Sequence, residues 1–227
     1  MDTISTSVIF KNPWITTIHT DSQYSVSVLE EIASGVLVLI EHVVYSPDEK
    51  IIAAALAHDD DLYRELFPRS QFEMFPENVD EKMRHNMFSF ESDGFMLGRA
   101  ISKFNHNCNP NCCLIKIQHG IYGVWTLRPV RKGDELCIDY LNGERCLDTH
   151  QKMMTKHNVS TCSCDEAALL INHKKSAVRF KVCQGWLYRD QNIIDSHVSQ
   201  YKSSQLYHDI EKLHGLLENT AKLVSFV

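Results

Sequence analysis

Between Asn105 and Cys112 the chain reads Asn-His-Asn-Cys-Asn-Pro-Asn-Cys. Side-chain amides, an imidazole and thiols in so short a span can bind a polar ligand, a metal ion, or both. The Asn109-Pro110 pair marks a turn, because proline fixes its own φ and pushes the preceding residue away from helical angles. A tight surface turn with an incidental histidine is the plainer reading of the same string. Further along, Gly133-Asp134-Glu135-Leu136-Cys137-Ile138-Asp139-Tyr140 reads as a turn and a strand ending on a tyrosine, and Cys162-Ser163-Cys164 adds two thiols.

The composition narrows the chemistry. At 227 residues, with 44% hydrophobic and 23% charged residues, the chain is long enough for one sizeable core. It holds no run of about 18 apolar residues, and Met1-Asp2 opens without a basic start or apolar middle, so we expect neither a membrane span nor a signal peptide but an intracellular protein of nucleus or cytoplasm. In those compartments grouped thiols point to metal or catalysis rather than disulfides. All but Cys183 of the eight cysteines lie between Cys108 and Cys164. A net charge of −6 disfavours direct nucleic-acid binding and suits a basic partner, although Asp59-Asp60-Asp61 also reads as a solvated face.

The elements that must position these residues are short strands with one helical interruption. Val8 to Phe10 offers an entry strand. Val26 and Val28 alternate with serines, and the run Val36-Leu37-Val38-Leu39-Ile40 after Gly35 predicts a strand buried on both faces. Ser46-Pro47-Asp48-Glu49 predicts a helix start, with Ser46 as N-cap and Glu49 closing a capping box. Helical patterns continue through Leu62 and Leu66 and again over 78–88. Leu114 to Ile117 and Tyr122 to Leu127 predict a hairpin around His119-Gly120. From about Gln151 the pattern is helical, and Val198, Tyr201, Leu206, Ile210, Leu213, Leu217 and Val224 recur near a 3.6-residue period. Their spacing serves packing against the chain's own core, or a seam through which the C-terminal helix forms a homodimer.

Three segments in this order, Tyr24 to Gly35, Asn105 to Asn111 and Gly133 to Tyr140, resemble the SET domain of protein lysine methyltransferases. Asn105 to Asn111 is similar to the family's Asn-His-Ser-Cys-x-Pro-Asn signature, Gly133 to Tyr140 to its Gly-Glu-Glu-Leu-x-x-x-Tyr strand, and Cys162-Ser163-Cys164 to the start of its post-SET cysteine cluster. The resemblance covers about residues 20–167 and looks closest to members split by a helical insert. It implies a mainly β fold with α-helices: short curled sheets, a pseudoknot near the active site, a helical insert over about 46–92 and a helical C-terminal region. The expected division is an extension over 1–19, the SET domain over 20–141, a post-SET-like segment over 142–167 and helices over 168–227.

The same resemblance implies methyl transfer from S-adenosylmethionine to a lysine side chain of a protein, a histone tail by default. Such a displacement depends on orientation, and a lysine with a pKa near ~10.4 must lose its proton before attack. Tyr140 would be catalytic, and Asn105, His106, Tyr24, Ser25 and Asn86 would hold the cofactor. Cys108, Cys162 and Cys164 would bind structural zinc, with a fourth ligand from Cys183, His173 or Cys146; the alternative is a site that holds no metal. Three departures from the family pattern stand out: Gln23-Tyr24-Ser25 replaces Gly-x-Gly, Ala167 replaces a cysteine, and Ser160 replaces an aromatic. They keep open the alternative of a catalytically inactive SET-like scaffold or interaction protein. A purely zinc-binding module is the third reading.

Overall fold

The structure, a computed structural model, describes residues 6–20, 24–66, 79–90, 94–141, 147–157 and 166–212. Strands β1 (Ser7–Lys11), β2 (Ile15–His19), β3 (Tyr24–Val28), β4 (Leu37–His42) and β5 (Val44–Ser46) precede helices α1 (Glu49–Ala57), α2 (Asp60–Glu65) and α3 (Val79–Asn86). Strands β6 (Phe88–Phe90), β7 (Gly94–Leu97), β8 (Asn105–His106), β9 (Cys112–Gln118), β10 (Ile121–Thr126) and β11 (Glu135–Ile138) follow. The chain then becomes helical in α4 (Leu147–Lys156), α5 (Glu166–Arg189) and α6 (Gln191–Lys202). Among the described residues these strands form three small sheets, ordered β1-β4-β10-β9, β2-β3-β11-β8 and β5-β7-β6. This is the mixed architecture of short sheets with helices that the resemblance implies. Among the described residues, no helix is long and apolar enough to cross a membrane.

The continuous apolar run of β4 is explained by its two neighbours. Val38 and Leu39 join the main core with Val26, Val28, Val124 and Phe104, while Leu37 and Ile40 pack with Trp125, Cys183, Ile194 and Val198 under α5 and α6. A strand covered on both faces has no reason to alternate. At the turn before β4, Gly35 has φ +76°, and a Cβ there would lie 2.8 Å from the Trp186 ring of α5, so the helix rests on a position only glycine fits.

The helical interruption forms its own core, with Ile52, Leu56, Leu62, Tyr63, Leu66 and Met83 packed against Val44 and Leu97. Its first helix starts two residues later than expected. Ser46 is occupied as the last residue of β5, paired with Phe95, and the N-cap is Asp48, whose side chain accepts from the Lys50 N–H at 2.9 Å. Ser46 Oγ instead accepts from the Asp48 N–H at 3.1 Å.

A second correction concerns the C-terminal helix, which is not continuous. α6 ends at Lys202, and helical backbone resumes over 205–212. The break falls at Ser203-Ser204, where the Ser204 hydroxyl accepts from the Tyr207 N–H at 3.3 Å and so caps the next turn. Val198, Tyr201 and Ile210 are buried within this chain, and the His42 Nδ1 and the Tyr201 hydroxyl share a 2.7 Å hydrogen bond that docks α6 on β4. Leu213, Leu217 and Val224 lie outside the described residues.

Glu41 on β4 is fully buried and accepts from the Ala100 N–H at 2.9 Å and the Ile101 N–H at 2.8 Å. Burial raises its pKa, opposed by these same hydrogen bonds. It thereby fixes the 3-10 turn Ile101–Lys103 that delivers the chain into β8. Glu41→Ala should lower the free energy of unfolding in urea by about 3 kcal/mol, because it strands buried donors. A loss below about 1 kcal/mol would contradict that brace.

Candidate active site

β11 lies between two partners. It pairs antiparallel with β3 (Glu135 with Ser27, Leu136 with Val26) and parallel with β8 (Cys137 with Asn105, Ile138 with His106). Beyond the parallel pair, the Asn107 N–H donates to the Ile138 carbonyl at 3.0 Å. The buried Asn111 closes the arrangement by using its side chain as a short length of strand. Its Nδ2 donates to the Glu135 carbonyl at 2.7 Å, and its Oδ1 accepts from the Cys137 N–H at 2.8 Å. The signature turn is thus held to β11 at both ends, which brings Asn105, His106, Cys108 and Tyr140 together.

Tyr140 is the best-defined group of the site. Its hydroxyl donates to the Phe104 carbonyl at 2.6 Å, and its N–H donates to His106 Nδ1 at 3.1 Å. The rings of Phe88, His106 and His157 surround it at centroid distances of 5.1, 5.3 and 4.7 Å. Burial, with smaller contributions from Cys137 and Glu135, pushes its pKa well above the usual phenol value. Tyr140 therefore stays a neutral phenol and cannot act as a general base.

The hydrogen bonds set the tautomer of His106. Its Nδ1 accepts from the Tyr140 N–H, so the neutral ring carries its proton on Nε2, which lies 3.1 Å from Cys108 Sγ. The imidazole is thus committed on both nitrogens to the protein, and only its backbone is left to meet a cofactor. Asn105 Nδ2 donates to the Tyr24 carbonyl at 2.8 Å and to Glu135 Oε1 at 2.6 Å. Its Oδ1 has no hydrogen bond among the described residues and can accept one. Tyr24 carries the Lys103 Nζ 5.1 Å from its ring centre and packs on His19, and Ser25 pairs with Ile18 on the neighbouring strand. Asn86 is buried at the end of α3, where its Nδ2 donates back to the Lys82 carbonyl at 2.8 Å. The α3 end meets Tyr140 instead through Phe88 and through the His85 carbonyl, which accepts from His157 Nδ1 at 2.9 Å.

For a metal, the described donors are His106, Cys108 and His150, all buried, with ligand atoms within 4.8 Å of one another. Structural zinc takes four ligands in a tetrahedron. Cys108 and His150 fit such a site. His106 fits better as the N–H donor to the Cys108 sulfur, since ligation through Nε2 would set its Nδ1 proton against the Tyr140 N–H. Cys162, Cys164 and Cys146 lie outside the described residues, as does the side chain of His173. Cys183 is corrected as a fourth ligand: it is joined to Cys113 in a disulfide, because α5 packs over β9. Cys112 and Cys137 are free and buried, and Cys108 is buried against the His106 ring.

Three contributors had no assigned role in the sequence. Asn111 stands in the signature but acts through β11, which no local pattern encodes. His150 and His157 are two helical turns apart, a spacing that places them on one face of α4, and this was the available signal. His157 is neutral: burial lowers its pKa from 6.5 to about 4, against the opposing hydrogen bond to His85.

A family model for the SET domain matches residues 23–141, more than half of the chain, and the chain belongs to that family. SET domain and MYND-type zinc finger protein 6 of Schizosaccharomyces pombe is 29% identical over 118 residues, which cover 52% of this chain and 23% of that protein. A SET domain-containing protein of Dictyostelium discoideum is 44% identical over 43 residues, 19% of this chain and 11% of its own length. The chain thus matches less than a quarter of either relative. Among solved structures, one titled a "putative histone methyltransferase" of Plasmodium falciparum is 18% identical, covers 57% of this chain and 94% of its own, and superposes with a TM-score of 0.35.

Two outcomes test this geometry. Asn111→Ala removes two hydrogen bonds from buried backbone groups and should destabilise the protein by about 2 kcal/mol in urea, with Asn111→Asp losing less than alanine. For His157 the folded pKa lies below the unfolded one, so its neutral form contributes stability in full above pH 6.5, and this is lost as pH falls toward about 4. The thermal midpoint should therefore fall more steeply over that window in the native protein than in His157→Phe. Equal slopes would contradict the buried, neutral imidazole.

Proposed function

We propose that this protein is a methyltransferase that uses S-adenosylmethionine to methylate a lysine side chain of a basic protein, with a histone tail as the default substrate. The observation that carries the reading is the parallel pairing of β8 with β11, which sets the Asn105-His106 backbone beside a neutral, enclosed Tyr140 phenol. Membership in the SET family supports the same reaction class.

When bound, S-adenosylmethionine supplies an activated methyl group on a sulfonium. Asn105 Oδ1 is an acceptor suited to the cofactor's ammonium, and the strand backbone at His106 and the residues Tyr24 and Ser25 would form the rest of its cradle. Tyr140 offers a rigid aromatic wall with one hydroxyl held in place by Phe104. Its neutrality means that it orients the amine and does not take its proton. The enclosure formed by Phe88, Tyr140 and His157 would desolvate an incoming ammonium and lower its pKa from ~10.4 toward neutrality. Because His157 is itself uncharged, it adds no cation to repel either the sulfonium or the lysine. A zinc ion on Cys108 and His150 would tie α4 to the signature turn. The net charge of −6 suits a basic substrate, and nucleus and cytoplasm are both consistent compartments for it.

Calorimetry with S-adenosylmethionine and mass spectrometry of a histone-tail peptide test the reading together. We expect cofactor binding and a mass gain of whole methyl groups on lysine. Tyr140→Phe should lower kcat by about tenfold or more while cofactor affinity stays within about twofold. Absence of cofactor binding at millimolar concentration would overturn the enzyme reading and favour a scaffold.

A further inference from the structure

A cavity of about 220 Å³, with Tyr140 absent from its lining, opens between the signature turn and α5. Its lining is Asn109, Pro110, Leu127, Arg128 and one face of α5, Val178, Arg179, Val182 and Trp186. Two guanidinium groups converge there on one asparagine. Arg179 Nη2 donates to Asn109 Oδ1 at 2.8 Å, and Arg128 Nη2 donates to the Asn109 carbonyl at 3.4 Å. Arg179 Nη1 is buried with no hydrogen-bond partner, and no ion pair to either arginine is found among the described residues. The pair is strained electrostatically: burial first, and then repulsion from Arg128, lowers the Arg179 pKa.

A buried, unpaired guanidinium N–H beside a second positive charge is unfavourable unless an anion completes it. The walls are apolar, and Val178 and Val182 of the same helix face remain 63% and 44% exposed. A free inorganic ion would leave that surface uncovered, whereas a carboxylate next to an apolar side chain would satisfy both parts. The volume is below the roughly 300 Å³ at which small-molecule sites begin, so it suits one or two residues of a peptide.

We propose that this cavity is a docking site for an acidic peptide segment, in which a glutamate or aspartate side chain bridges Arg128 and Arg179 while a neighbouring apolar residue covers Val178, Val182 and Trp186. The site is separate from the one proposed for methyl transfer, and its occupant is opposite in charge to a lysine-bearing substrate.

The test uses the full chain and a fluorescein-labelled, end-blocked hexapeptide of alternating leucine and glutamate, read by anisotropy. We expect saturable binding that is lost when glutamine replaces glutamate, and weakened at least about tenfold by Arg179→Ala. Val178→Glu places a carboxylate on the chain's own arginines at an exposed position that tolerates substitution, and should abolish binding while circular dichroism stays native. An equal affinity for the glutamine peptide, unchanged binding by Val178→Glu, or no anisotropy change up to millimolar protein would each overturn the proposal. A phosphoserine version of the peptide that binds more tightly than glutamate, and is still lost in Val178→Glu, would support the same site and assign it to phosphorylated partners. All of these readouts are independent of cofactor binding and turnover, so the docking site and the methyltransferase reading can fail separately.

Discussion

The two-residue parallel pairing of β8 with β11 is the constraint on which this site depends. A pair that short has little stability of its own. It persists because β3 holds the other edge of β11 and because Asn111 supplies from its side chain the donor and acceptor that a longer strand would supply from its backbone. β3 and β11 are separated by most of the SET region, so the site assembles only after a long loop has closed.

Buried polar groups do the positioning, and each is matched at least in part to backbone. Glu41 caps the turn that leads into β8, Asn111 clamps the turn that leaves it, and His106 bridges the Tyr140 N–H and the Cys108 sulfur. Replacing any one of them leaves buried donors or acceptors unmet, which makes such networks specific in geometry as well as stabilising. The His106 bridge has a chemical consequence. One imidazole therefore joins the Cys108 sulfur to the backbone N–H of Tyr140.

The helices after β11 divide the surroundings of the signature turn. α4 brings His150 to Cys108 and His157 to Tyr140, enclosing the inner face with imidazole rings. α5 reaches the outer face at Asn109 with arginine and exposed valines, and is held to β9 through Cys113 and Cys183. One turn therefore meets aromatic and imidazole rings at His106 and Cys108 and a pair of arginines at Asn109. The disulfide also removes Cys183 from the possible fourth zinc ligands that the family resemblance left open: the packing of α5 on β9 decides its partner.

Much of the fold was legible because it rests on local chemistry. The apolar run of β4, the hairpin at His119-Gly120 and the signature residues Asn105 to Asn111 follow from side-chain pattern and turn preference over a few neighbours. The misreading at Ser46 is local as well: the serine matched a helix-start signal but strand pairing took it, and farther on the apolar period from Val198 to Ile210 runs across a helix break at Ser203-Ser204. What only the tertiary structure decided is which polar atoms are already spent. Asn105 gives its amide protons to Tyr24 and Glu135 and keeps its carbonyl, His106 loses both nitrogens to the protein, and Tyr140 is locked as a phenol by burial. The sequence by itself determined that an amide, an imidazole, a thiol and a tyrosine were present in the order of this family. The long-range pairing of β11 determined what each is free to do, since hydrogen-bond partners and desolvation arise only when distant segments share the same interior.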